Sequence, residues 1–268
     1  MKYELKATAR TLIPLYIALL AFAIINKIFI GAGLAHKLEG FGSIPFILSI
    51  FGYGCTMAAV FIVTFFVIIQ RFYKNLLGDE GYLINTIPVS TVTNITSKLS
   101  IASFWNIISA FVAVFSILIM AFEPVAFSNF FSEMFDGLSK AYSEIGIQLY
   151  ILIFEVIILI IVSLLRSLSM IYASIAIGHL FNKHRILSAF GAFIGLSFIS
   201  GAISSIITIT FSIVGNHLDN LQSIHLNDTA ALLVGHVFII GITVFNLLFF
   251  LAYFIITTYI LKNKLNLE

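Results

Sequence analysis

The chain has 268 residues, of which 60% are hydrophobic and only 10% are charged. An average soluble domain carries roughly 25% charged residues, so this composition excludes a soluble protein and indicates an integral membrane protein. The formal net charge is +2, and the cations are spread along the chain rather than gathered in one patch, which argues against a nucleic-acid partner.

Six apolar stretches are each long enough to cross the hydrocarbon core of a bilayer, which takes about 20 residues. Polar segments separate them at near-regular spacing. The sequence therefore predicts an all-α polytopic membrane protein with six transmembrane helices, forming a single transmembrane domain over residues 1–268. The predicted spans cover residues 12–30, 44–70, 97–122, 146–178, 187–214 and 230–261.

The basic residues predict the orientation, because positive charge is retained on the cytoplasmic side of a membrane. With the N-terminus inside, only Lys27, Lys37 and Lys140 lie outside, and Arg166 falls within a span. We therefore expect both termini to be cytoplasmic. The basic residues then placed in the cytoplasm are Lys2, Lys6, Arg10, Arg71, Lys74, Lys98, Lys183, Arg185, Lys262 and Lys264.

The N-terminal segment, residues 1–11, repeats a cation every four residues at Lys2, Lys6 and Arg10. This pattern is typical of an amphipathic helix that lies in the headgroup layer. A simple positive-inside anchor for the first span fits equally well. A cleaved signal peptide fits poorly, because Glu4 interrupts the basic start and the apolar run continues well past the candidate cleavage site.

Residues 71–90, "RFYKNLLGDEGYLINTIPVS", form a polar island between two spans and are longer than a simple connection requires. Gly78 and Gly81 permit sharp turns on either side of Asp79 and Glu80. The two carboxylates are free to face a cationic partner. A docking surface and an ordinary solvated loop are both consistent with this segment.

The predicted outer segment, residues 123–145, alternates acids with aromatic residues. Glu133 and Asp136 are interleaved with Phe131 and Phe135. The pattern predicts an amphipathic helix that is re-entrant or lies at the membrane surface.

Glu155 and Arg166 are charged residues within the fourth predicted span. Eleven residues along a helix place them on nearly the same face, about 16 Å apart. Charges at such depths are costly and usually face protein or a water-filled cavity, so the pair is a possible cavity lining. Structural pairing with neighbouring spans is the alternative.

A second cytoplasmic segment, residues 178–186, is short and basic. Leu180 and Phe181 would face water there unless a partner covers them. Both cytoplasmic loops thus mix apolar and charged residues, as segments that insert into a groove of a partner protein do.

Small residues indicate where helices approach closely. Gly191 and Gly195 form a G-x-x-x-G that continues to Gly201, and Gly52 and Gly54 lie in the second span. These glycines predict helix packing within the chain or a dimer interface with a second copy.

The segments "RFYKNLLGDEGYLINTIPVS" and "SIAIGHLFNKHRILSAFGAF" together resemble the membrane subunit of an ABC-2 type ATP-binding cassette exporter of Gram-positive bacteria. The resemblance covers essentially the whole chain. It implies a permease in the bacterial plasma membrane that pairs with a second permease copy or a paralogue and with two copies of a separate ATPase subunit. It also implies an elbow helix over 1–11, a coupling helix within 71–90 and a smaller contact at 178–186. The implied ATPase-contact residues are Asn75, Leu76, Leu77, Gly78, Asp79, Glu80, Gly81, Tyr82, Phe181 and Lys183.

The chain lacks the G-x-x-x-x-G-K-[ST] motif that cradles nucleotide phosphates. We therefore expect no catalytic residue and no cofactor in this chain, with ATP and magnesium bound by the partner ATPase. The six histidines have no spacing typical of a metal site, so no metal is predicted either.

Three other functions are compatible with the sequence. A stand-alone secondary transporter would use Glu155 to carry a proton or cation. An intramembrane enzyme is disfavoured, because the sequence has no paired catalytic groups at a workable spacing. A complex that expels or sequesters antimicrobial peptides is closest to the exporter, and the sequence leaves the substrate open.

Overall fold

The computed structural model describes residues 2–31, 44–77, 89–121, 124–181, 183–221 and 228–264, with side chains for all of these except 2, 75, 124–127, 211–221 and 228–231. All regular secondary structure within these ranges is α-helical. The seven helices are α1 (Lys2–Gly31), α2 (Ile44–Leu76), α3 (Thr91–Ala121), α4 (Pro124–Ile145), α5 (Gln148–Gly178), α6 (Arg185–Leu221) and α7 (Asp228–Asn263).

Six of these helices, all except α4, are long and apolar enough to cross a membrane. This confirms the all-α prediction and the number of candidate spans. The helices extend beyond the predicted spans where polar residues continue a helical segment. Helix α2 runs to Leu76 rather than ending at 70, and α3 begins at Thr91 rather than at 97.

The N-terminal segment forms the first turns of α1 and has no break before the first span. Pro14 lies inside the helix. Proline lacks a backbone N–H and crowds the carbonyl four residues earlier, yet the helix continues through this position. Lys6 and Arg10 are exposed, whereas Leu12 is fully buried. A separate elbow helix is therefore not observed, and an interfacial position for residues 1–11 stays a prediction.

The chain divides into two compact units. The first comprises Met1–Arg71 and Ser100–Gly146. Its core is a three-helix cluster in which apolar side chains of α1, spaced three and four residues apart, face α2 and α3. The buried residues of this cluster are Leu12, Tyr16, Leu19, Ala23, Tyr53, Val60 and Trp105.

Buried hydroxyl and amide groups connect the helices of the first unit. Tyr16 and Thr64 both hydrogen-bond the Ser109 hydroxyl, at 2.7 and 2.9 Å. Asn26 and Ser49 exchange two hydrogen bonds of 3.0 and 2.7 Å. Lipid chains offer no hydrogen-bond partners, so these polar groups must pair within the protein, and in doing so they set the register of the helices.

Helix α4 lies outside this cluster and leaves nearly all its described side chains exposed. The predicted amphipathic segment is thus helical along most of its length. It ends at Gly146, which has φ of 58° and whose N–H donates to the Tyr142 carbonyl at 2.8 Å. A left-handed residue at this point is the usual glycine termination of a helix.

The second unit comprises Phe72–Leu99 and Ile147–Glu268. Helix α5 packs along α7 and, more briefly, along α6. Its last residue, Gly178, lies so close to α6 that a Cβ added there would be 2.5 Å from the Cα and N of Ala189. The end of α2 and the start of α3 also belong to this unit.

Candidate functional site

The end of α2 and the end of α5 meet in a cluster that we call the loop corner, comprising Phe72, Tyr73, Leu77, Tyr172 and His179. The rings of Phe72 and Tyr172 are stacked, with centroids 3.9 Å apart and planes 11° from parallel. They are 0% and 2% exposed. This buried aromatic contact therefore lies at the start of the first predicted cytoplasmic loop and six residues before the start of the second.

The start of α3 joins the same corner. The Tyr172 hydroxyl donates a hydrogen bond of 3.4 Å to the backbone carbonyl of Lys98. The end of α2 and the second turn of α3, the helices that flank the first predicted loop, are thus both in contact with α5. A displacement of that loop would be transmitted to α5 through well-packed side chains.

His179 completes the loop corner. The centroid of its ring lies 6.1 Å from that of the Tyr73 ring. The imidazole hydrogen-bonds the backbone of Leu77. Its Nε2 accepts a 3.4 Å hydrogen bond from Arg185 Nη1. Burial, and secondarily the nearby Arg185 charge, lower the pKa of His179 from its ordinary value of 6.5. The neutral ring, protonated on Nδ1, is the form that fits both hydrogen bonds.

The lowered pKa of His179 predicts that acid destabilises the loop corner. The unfolded chain binds a proton at His179 near pH 6.5, whereas the folded chain resists protonation until a lower pH. Stability from this residue is therefore full above pH 6.5 and is lost as the pH falls through the folded pKa. We expect the thermal midpoint of the purified protein to fall on acidification below about pH 6.5.

A second histidine provides the control for this prediction. His179→Gln should flatten the dependence of the thermal midpoint on pH. His184→Gln, which changes an exposed side chain nearby, should leave that dependence in place. An unchanged pH profile in His179→Gln would contradict the assignment.

The predicted ATPase-contact residues fall into four groups. Leu76 and Leu77 are buried and anchor the start of the first loop. Phe181 is 55% exposed, and Lys183 is also exposed, so both are available to a partner. Asn75 lies in the last turn of α2, with its side chain outside the described part. The remaining positions, Gly78, Asp79, Glu80, Gly81 and Tyr82, lie outside the described residues.

Glu155 and Arg166 both face α7, in what we call the polar seam. Glu155 Oε2 lies 2.8 Å from His236 Nδ1. Arg166 Nη1 donates a 2.7 Å hydrogen bond to Asn246 Oδ1. The two α5 residues therefore use separate partners on one neighbouring helix.

Two apolar rings complete the environment of Arg166. Its guanidinium lies 4.8 Å from the ring centroid of Phe249 and 5.4 Å from that of Phe245. A cation over an aromatic face is attracted electrostatically, more so when it is withdrawn from water. Both the hydrogen bond and the rings thus stabilise the charge within a membrane-spanning helix.

Sequence reasoning identified the α5 half of the polar seam and missed His236 and Asn246. One signal was present, because each is a polar residue within a long apolar run. The spacing matches as well: eleven residues separate the α5 pair and ten separate the α7 pair. Because every α-helix rises about 1.5 Å per residue, two parallel helices bring residues with such similar spacing into contact at two levels.

The glycines predicted to pack behave differently from one another. A Cβ on Gly52 would be 2.7 Å from the ring of Phe22, so this glycine does pack against α1. At Gly54, Gly191, Gly195 and Gly201 an added Cβ would meet open space. An interface between copies at these four positions stays a prediction. Gly178, which has the closest backbone approach among the described glycines, was not singled out.

Within the described residues, the chemistry available at these two sites is hydrogen bonding and proton exchange, through Glu155, His236 and His179. No group of three or more His, Cys, Asp or Glu side chains in the described ranges is placed to hold a metal ion.

Comparisons of the chain with protein-family models, with curated proteins and with solved structures found no match.

Proposed function

We propose that the chain is the membrane subunit of an ATP-driven exporter of the ABC-2 type, located in the bacterial plasma membrane. The observation that carries the proposal is the loop corner. Phe72, in residues 71–90, stacks on Tyr172, six residues before 178–186, so one buried contact lies at the base of both segments that would contact an ATPase. A partner bound to both segments would therefore push on a single structural unit.

The coupling follows from the helices that leave the corner. Helices α2 and α5 are each long enough to cross the membrane, and their ends are joined by Phe72 and Tyr172. ATP binding would draw two ATPase subunits together and shift the loops. Because the joined ends move together, the spans would tilt and change which side of a pathway is open, a population shift driven by the nucleotide. A second permease copy or a paralogue would form the other half of the pathway.

The surface of the second loop suits a docking contact. Phe181 is an exposed aromatic residue and Lys183 an exposed cation on the same short connection. An aromatic anchor beside a charge is a common arrangement at the centre of a protein interface. In the first loop, Asp79 and Glu80 would supply negative charges that face cationic residues of the same partner.

The test is co-purification from the native membrane through a tag on the C-terminus. We expect a subunit with a P-loop and ATPase activity to co-elute. Asp79→Lys with Glu80→Lys should abolish that co-elution, because like charges across an interface cost several kcal/mol.

The matched control is Glu133→Lys with Asp136→Lys, which makes the same charge change on exposed positions of α4. It should leave the complex intact. Elution of the wild-type chain alone, without ATPase activity, would refute the exporter, as would normal assembly and transport by the Asp79→Lys, Glu80→Lys variant.

The contact between Glu155 and His236 favours a second candidate, an ion-coupled secondary transporter. A carboxylate and an imidazole 2.8 Å apart within membrane-spanning helices form a pair able to accept and release a proton. In proteoliposomes this candidate predicts that the protein alone dissipates an imposed pH gradient. Glu155→Gln should stop the flux, and Glu133→Gln should not. Absence of flux in the wild-type protein would eliminate it.

A further inference from the structure

A pocket of about 810 Å³ lies at the start of α6, within the second unit. Three basic residues line it, Lys183, His184 and Arg185, beside the ring of Tyr73. Its remaining wall is apolar and comprises Ile186, Leu187 and Phe190. Pockets of roughly 300–1,000 Å³ are typical of small-molecule sites, so its size suits a headgroup rather than a single ion.

The apolar wall belongs to a membrane-spanning segment. Ile186, Leu187 and Phe190 are 83%, 69% and 62% exposed, and they lie in the first turns of α6. The span assigned to this helix begins at Arg185. In a bilayer these three side chains therefore meet lipid chains, while the basic residues just before them lie at the level of the headgroups.

The basic residues of the pocket lack an anionic partner within the described part of the chain. No described carboxylate lies within 4.0 Å of Lys183, His184 or Arg185. Arg185 has a buried Nε with no hydrogen-bond partner, and its Nη1 contacts the neutral ring of His179. A buried guanidinium N–H without an acceptor is costly, so the pocket favours an anion that would accept from it.

We propose that this pocket binds the headgroup of an anionic phospholipid. The phosphate would accept hydrogen bonds from Arg185 and Lys183, and the acyl chains would lie along Ile186, Leu187 and Phe190. Basic pockets between membrane helices bind anionic headgroups in this way. The combination of cations at the surface and exposed apolar side chains just below it matches a lipid better than a soluble anion or a protein. The inference does not depend on the proposed exporter: Lys183 is also a predicted ATPase contact, whereas Arg185 is used by the pocket alone.

The experiment is native mass spectrometry of the full-length chain, with its thermal midpoint, in phosphatidylglycerol and in phosphatidylcholine. We expect retained phosphatidylglycerol and a higher midpoint in that lipid. Lys183→Gln with Arg185→Gln should weaken phosphatidylglycerol binding about thirtyfold, since each basic side chain near an anionic surface contributes roughly a fivefold factor.

The matched control is Lys262→Gln with Lys264→Gln, which removes the same charge from exposed positions where α7 ends. Because consecutive spans alternate in direction, these lysines lie at the same end of the helices as the pocket. Should the Arg185 variant unfold, Lys183→Glu alone changes an exposed side chain and should still cut binding severalfold.

Four results would overturn the proposal. The first is equal retention of the two lipids by the wild-type chain. The second is an equal loss of phosphatidylglycerol in the control variant. The third is that the pocket variants lose a second copy of the chain or a protein partner while keeping the lipid. The fourth is that inorganic phosphate stabilises the wild-type protein as much as phosphatidylglycerol does.

Discussion

Replacing Gly178 with alanine is expected to lower the thermal midpoint of the protein, whereas replacing Gly191 with alanine is expected to raise it slightly. A Cβ at residue 178 would lie 2.5 Å from the N, Cα and Cβ of Ala189. Backbone atoms cannot rotate away as a side chain does, so α5 and α6 must separate. Overpacking of this kind costs about 1–3 kcal/mol.

The same methyl group at Gly191 would meet open space. There the helix gains the higher propensity of alanine, worth about 1 kcal/mol in a helix interior. The same chemical change is therefore expected to lower the free energy of unfolding at residue 178 and to raise it at residue 191. Thermal unfolding of detergent-purified protein measures both effects. For a chain of this size, a change of about 1 kcal/mol corresponds to a shift of about 2–4 °C in the thermal midpoint.

A second-site change tests the cause of the Gly178 effect. Ala189→Gly removes the facing Cβ but leaves the backbone atoms of residue 189 at the same distance. The double variant should therefore recover only part of the lost stability. Full recovery would mean that the clash is with the side chain alone, and equal midpoints for Gly178→Ala and Gly191→Ala would show that α5 and α6 are not in close contact.

The number of spans could be predicted because hydropathy depends on composition and length alone. The ends of the helices could not be predicted from the sequence. Arg71 and Lys74 are polar and suggested the end of a span, yet α2 continues to Leu76. Phe72 packs against Tyr172 at this level, so tertiary contact extends the helix beyond its apolar segment.

The composition of the candidate sites was predictable only in part. Charge in an apolar segment identified Glu155 and Arg166, but a single sequence does not show which helix lies opposite, so His236 and Asn246 were missed. The aromatic stack at the loop corner was beyond prediction for another reason. With 28 Phe and 10 Tyr in the chain, no pattern distinguishes Phe72 and Tyr172 from the rest.

Replacing Asn246 with leucine is expected to be strongly destabilising, because it leaves the Arg166 guanidinium without its 2.7 Å acceptor. The rings of Phe245 and Phe249 would still face the charge, but they accept no conventional hydrogen bond. A hydrogen bond to a charged group contributes about 1.5–3 kcal/mol, so we expect a loss of about 2 kcal/mol. Thermal or denaturant unfolding in detergent measures this loss.

The double variant Arg166→Met, Asn246→Leu should be more stable than Asn246→Leu alone. Replacing both partners with apolar groups of similar size removes the stranded charge, and apolar side chains suit a membrane-spanning interface. The matched control is Asn106→Leu in α3, because the described side-chain bond of Asn106 is a long one of 3.5 Å to the carbonyl of Ala102 in its own helix. We expect Asn106→Leu to lower the free energy of unfolding only slightly.

The thermodynamic cycle formed by Asn246→Leu, Arg166→Met alone and the double variant also separates the two roles weighed for the polar seam. A coupling free energy of about 1–3 kcal/mol between Arg166 and Asn246 would mean that the pair joins α5 to α7. A coupling near zero would contradict the expected loss, and it would mean that water solvates the guanidinium once Asn246 is gone. Water has access there only if this face of α5 borders an aqueous cavity, which is the condition that a translocation pathway lined by Glu155 and Arg166 requires.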